Sequence, residues 1–100
     1  MRKEILERYG DPAPDPVLEK IKEEVRAESS PVVKSMSIKY NKRTEEYILI
    51  YETYFYWMGD IEKINEVVFK RYGYKIRNIH VYPKDNNTVE IFLFFVKGGI

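Results

Sequence analysis

His80 is the only histidine in the chain, and histidine is the residue type that most readily exchanges a proton near neutral pH. It sits between Ile79 and Val81 in a strand-like stretch, so a general-base role needs a carboxylate from another strand, with Glu90 or Glu52 as candidates. A strand histidine held by one hydrogen-bond partner is the plainer reading, and no catalytic residue is assigned. A metal centre needs several ligands at compatible spacing, and one histidine without adjacent carboxylates does not make such a set. No metal and no cofactor are expected. The chain has no phosphate-cradling glycine loop and no nucleophile elbow. With no cysteine there can be neither disulfides nor thiolate chemistry.

The remaining charges suggest binding rather than catalysis. Lys39, Lys42 and Arg43 form one basic group, and Lys70, Arg71, Lys75 and Arg77 another; either could contact phosphates. A net charge of +1, from 17 basic and 16 acidic residues, argues against bulk attraction to nucleic acid or an anionic membrane. Glu23-Glu24 and Glu45-Glu46 read as solvated surface. Glu52 interrupts an apolar run and calls for a partner, Lys39 or a tyrosine hydroxyl. No apolar run approaches the ~20 residues of a membrane span. The first eight residues lack the apolar stretch of a signal peptide, so a cytoplasmic location is expected. The absence of Cys and Gln beside 23 Glu and Lys is a hyperthermophile pattern, which points to a thermophilic archaeon or a virus or plasmid of one.

These residues are positioned by elements legible from periodicity. A hydrophobic content of 44% with nine tyrosines is enough to bury a core, and 100 residues make one domain. Residues 2–9 read as a helix with Ile5, Leu6 and Tyr9 on one side. Asp11-Pro-Ala-Pro-Asp-Pro16 is a stiff connector ending in an N-cap at Asp15. Val17, Leu18, Ile21 and Val25 then mark a helix that Ser29-Ser30-Pro31 stops. Residues 32–40 alternate as an edge strand, and residues 46–57 read as one long central strand, apolar on both faces. Gly59-Asp60 breaks the strand and Asp60 caps a helix buried through Ile61, Ile64, Val67, Val68 and Tyr72. Strands over 74–82 and 89–96 follow, separated by a turn at 84–87.

Leu18-Glu-Lys-Ile-Lys-Glu-Glu-Val25 is echoed by Ile61-Glu-Lys-Ile-Asn-Glu-Val-Val68. Residues 15–57 and 58–97 therefore read as two αββ repeats behind an N-terminal arm of residues 1–14. Two hairpins joined by a right-handed helical crossover predict an α+β two-layer sandwich. Its four-stranded antiparallel sheet has the order 3-4-2-1 with helices on one face, a permuted ferredoxin-like arrangement. In element order the chain resembles pterin-carbinolamine-dehydratase-like domains. That activity rests on a histidine cluster that this sequence lacks, so the resemblance implies the layout alone.

Aligning the repeats places Tyr47, Leu49, Tyr51, Ile91, Leu93 and Phe95 beneath the helices, with Met36, Ile38, Ile79 and Val81. The opposite face then displays Ile48, Ile50, Tyr54, Phe92 and Phe94, with His80 and Tyr82 at its rim. Bare, that face exceeds the apolar patch of an ordinary monomer. The expectation is a non-enzymatic interaction protein that forms a homodimer through it. The alternative is a single-stranded nucleic-acid module that stacks bases on Phe92 and Phe94.

Overall fold

The computed structural model describes residues 2–29 and 33–98. Helix α1 (Arg2–Arg8) is followed by α2 (Val17–Ser29), β1 (Val33–Asn41) and β2 (Glu46–Tyr54). A short 3-10 turn (Phe55–Trp57) leads into α3 (Met58–Arg71), and β3 (Tyr74–Pro83) and β4 (Thr88–Lys97) complete the chain. Asp15 opens α2 as expected: its Oδ1 accepts the Val17 N–H at 3.0 Å and its carbonyl accepts the Leu18 N–H at 3.2 Å. α2 ends at Ser29, and the expected stop at Ser30-Pro31 lies outside the described residues. None of the described helices is long and apolar enough to cross a membrane.

The sheet order is β1-β2-β4-β3 with every neighbour antiparallel, the expected order read from the other edge. β2 and β4 are central, with Ile48 opposite Phe94 and Ile50 opposite Phe92. Side chains alternate across a strand, so Leu49 and Leu93 face the other way. On that second face α2 contributes Leu18, Ile21 and Val25, and α3 contributes Ile61, Val68 and Phe69, all packed on Tyr47, Tyr51, Ile91 and Phe95. Phe69 stacks on Phe95 at 4.5 Å between centroids, and Phe95 stacks on Tyr47 at 5.2 Å.

Four local expectations are corrected. β2 does not run to Trp57: beyond Tyr54 no strand flanks it, because β1 pairs from Val33 and β4 from Thr88. Without a ladder on either side the chain turns, its last tie being Phe55 N–H to Asn87 O at 2.8 Å. α3 therefore begins at Met58, and Asp60 lies inside its first turn instead of capping it. The buried stripe of α3 is rotated from the expected one: Asn65 and Phe69 point inward while Val67 is exposed. Val81 is exposed as well, because it lies on an edge strand beyond the cover of the helices.

A fifth correction concerns the layers. The helices are not confined to one face, because α1 lies on the other. Ile5 and Tyr9 join Ile48, Ile50, Phe92 and Phe94 in a second apolar cluster, with Leu6 and Tyr82 packed against it.

Candidate interaction surface

The face expected to be bare is closed within one chain. Ile48 and Phe92 have 0% exposure, and Ile50 and Phe94 have 8%. Ile5 and Leu6 of α1 with Tyr9 just after it suffice because His80 and Tyr82, on β3, pack along the same strip. The His80 ring lies 4.9 Å from Phe94, and the Tyr82 ring 5.1 Å from Phe92. Phe92 and Phe94 are consequently not available as a stacking platform, nor these four residues as an open dimer face.

Apolar surface is exposed elsewhere. Tyr54, Phe55, Tyr56 and Trp57 run consecutively from the end of β2 through the 3-10 turn. Their exposures are 37%, 61%, 91% and 47%. Together they leave more than two whole aromatic side chains in water, roughly 350–600 Å². Summed over the turn, that area is comparable to the largest apolar patch of ordinary monomers, about 300–600 Å². The backbone beneath is fixed at several points. Phe55 N–H binds Asn87 O, Met58 N–H binds Phe55 O, and the 84–88 turn is held by Lys84 N–H to Thr88 O at 3.0 Å. Asp85 Oδ1 accepts the N–H groups of Asn87 and Thr88 at 2.9 Å, and these bonds, led by that from Asn87, hold its carboxyl below the usual carboxylate range. The aromatics therefore stand on an ordered platform.

The charges around this end are largely balanced. Lys84 pairs with Glu52 at 2.5 Å, which supplies the partner that Glu52 requires. Glu52 also lies directly opposite Glu90 in the β2–β4 register, so that lysine offsets a like-charge pair. Lys34 sits 5.0 Å from the Tyr54 ring centroid, a cation–π contact.

The basic residues lie elsewhere. The β1–β2 turn and the start of β3 are at the far end of the sheet, roughly 26 Å from the aromatic run at ~3.3 Å per strand residue. All of the candidate phosphate contacts but Lys39 share their surroundings with a carboxylate. Lys42 and Arg43 line a recess with Glu4, Glu7 and Asp11, and Lys70 and Lys75 line one with Glu66. Arg71 bonds Glu24 at 3.0 Å, and Arg77 shares a cleft with Glu46. The geometry does not gather them into one basic track.

The polar contact seen for His80 is with Asn78 Nδ2, 3.0 Å from Nε2. Tyr82, not His80, occupies the β3 position opposite Glu90. Among the described residues no group of three or more His, Asp and Glu side chains could hold a metal ion. Sequence reasoning missed the aromatic end because it read Phe55–Trp57 as strand. The signal was present: four aromatics in succession cannot all face one core when alternate residues of a strand point opposite ways.

Comparison with protein-family models, curated proteins and solved structures finds no match.

Proposed function

We propose that this chain is a non-enzymatic interaction domain that works as a homodimer, with the aromatic end Tyr54–Trp57 as the contact surface. The observation that carries this reading is the fixed, solvent-facing aromatic run. A two-fold contact places such a patch on its own copy, and edge-to-face ring packing is self-complementary. A standard interface takes about 800 Å² per partner, of which these residues supply roughly half. Near-neutral net charge lets two copies approach, and the balanced charges around the patch suit a protein surface better than a polyanion.

Strand addition is a weaker route to association. On the β3 edge the Ile79 N–H is taken by Asn78 Oδ1 at 2.9 Å, and Pro83 has no N–H to offer. On the β1 edge Tyr40 O already accepts the Asp11 N–H at 3.1 Å.

The fold reads as a permuted ferredoxin-like arrangement of two αββ units, with α1 added as a cover for the free face. The absence of cysteine and glutamine and the wealth of Glu and Lys support a thermophilic archaeal source, or a virus or plasmid of one, and a place in the cytoplasm.

Sedimentation or light scattering tests the reading. Wild type should show twice the chain mass, and Tyr56→Ser with Trp57→Ser should show the single mass while remaining folded. A dimer that survives the double substitution, or a wild type that stays monomeric at millimolar concentration, overturns it. Retention of single-stranded oligonucleotides that weakens with salt and depends on the same aromatics would transfer the surface to nucleic acid.

A further inference from the structure

The cleft beside His80 has chemistry of its own, independent of the aromatic end. It is an open recess of about 350 Å³ at β3 and the central strands, lined by Glu46, Arg77, Asn78, His80 and Phe94. A register shift between Ile76 and Asn78 gives β3 one extra residue. As a result Arg77 lines the same cleft as Asn78, although adjacent strand residues ordinarily face opposite ways.

The hydrogen bonds settle which groups give and which receive. Asn78 Oδ1 accepts the Ile79 N–H at 2.9 Å, which fixes the orientation of the amide. Asn78 Nδ2 must then be the donor in its 3.0 Å contact with His80 Nε2. The Arg77 guanidinium has no acceptor among the described residues, so its fork of N–H groups is uncommitted. Glu46 lines the same recess and uses Oε1 to accept the Tyr9 hydroxyl, which leaves Oε2 outside that bond. Phe94 adds an apolar wall to the same recess.

We propose that this cleft binds a small zwitterion of the free amino-acid type, its carboxylate paired with Arg77 and its ammonium with Glu46. Arginine matches a planar carboxylate through two parallel hydrogen bonds. The carboxylate of Glu46 disfavours a simple anion in the same space, and Arg77 disfavours a simple cation, so selectivity belongs to a ligand carrying both charges. The volume lies at the small end of ligand pockets, which suits one amino acid rather than a peptide.

The lone histidine makes the test direct, because its ring proton signals are unambiguous in NMR spectra of the full chain. Titration with glycine, acetate and methylammonium at constant ionic strength should give a saturable shift for glycine, at least about tenfold tighter than for either single-charge probe. Arg77→Ala should abolish saturation, and Arg43→Ala, in a separate recess, should leave it intact. A shift that stays linear in glycine, equal affinity for acetate, or unchanged binding in Arg77→Ala overturns the proposal.

Discussion

Tyr9 closes over Phe94, its ring 6.0 Å away and inclined at 69°, and its hydroxyl donates to Glu46 on the neighbouring strand. This one side chain both shields the sheet's second face and ties the end of α1 to β2. Burial, reinforced by the bond to Glu46, holds the Tyr9 hydroxyl well above the usual tyrosine range.

Tyr9→Ala should cost about 3 kcal/mol in urea unfolding, by removing a ring from an apolar cluster. Tyr9→Phe should cost about 1–2 kcal/mol, for a hydrogen bond to a charged acceptor alone. Equal costs would show that the ring shields nothing.

Asp15 joins two elements: Oδ1 caps α2 through Val17, and Oδ2 accepts the Tyr74 hydroxyl at 2.6 Å. Asp15→Ala should lower stability by about 1–2 kcal/mol at neutral pH. The Tyr74 bond, followed by the Val17 bond and the nearby Lys97, lowers its carboxyl from 3.8, and burial opposes them only in part. A depressed folded-state value gives stability that is present above about 3.8 and lost as pH falls through the folded value. The gap between wild type and variant should therefore narrow in acid titrations as pH falls below about 3.8, and a gap that does not narrow contradicts the assignment.

At the alkaline end the sign reverses. Burial raises the hydroxyls of Tyr9, Tyr51 and Tyr74 above 10.0, so the folded chain keeps protons that the unfolded chain releases. Their stabilisation is complete below pH 10 and lost above it, at about 1.4 kcal/mol per pH unit for each such tyrosine. Unfolding free energies measured between pH 9 and 11 should fall steeply, and less steeply in Tyr51→Phe.

Asn65 is fully buried on α3; its Nδ2 donates to Tyr51 OH at 2.9 Å, and its Oδ1 has no hydrogen-bond partner among the described residues. Asn65→Ala should cost about 2 kcal/mol or more by emptying the site and stranding the tyrosine hydroxyl. Asn65→Leu combined with Tyr51→Phe removes both polar groups and should match or exceed wild-type stability. A double variant weaker than either single change would show that the pair stabilises the core.

Much of the fold was legible because its signals are local. The helix over 17–29 declared itself through Leu18, Ile21 and Val25 and through the cap at Asp15, all within a few residues. The pairing of β2 with β4 followed from two strands apolar on both faces, a pattern that only central strands satisfy. The alternation that set Ile48 against Leu49 survived intact, because a pleated strand allows no other arrangement. The limit of β2 was not legible. A strand ends where its neighbours end, and the sequence of β2 carries no record of where β1 and β4 begin.

From its own order of residues the chain determines its helices and strands, their succession, and which side of each strand is apolar, since these depend on spacing over a few positions. The folded structure alone decided that α1 covers the second face, that Tyr54–Trp57 stands in water, and that Glu52 meets Lys84, Tyr74 meets Asp15 and His80 shares a cleft with Glu46. Those pairings join residues from 32 to 59 positions apart. Distances of that kind are set by how layers pack, which no local pattern encodes.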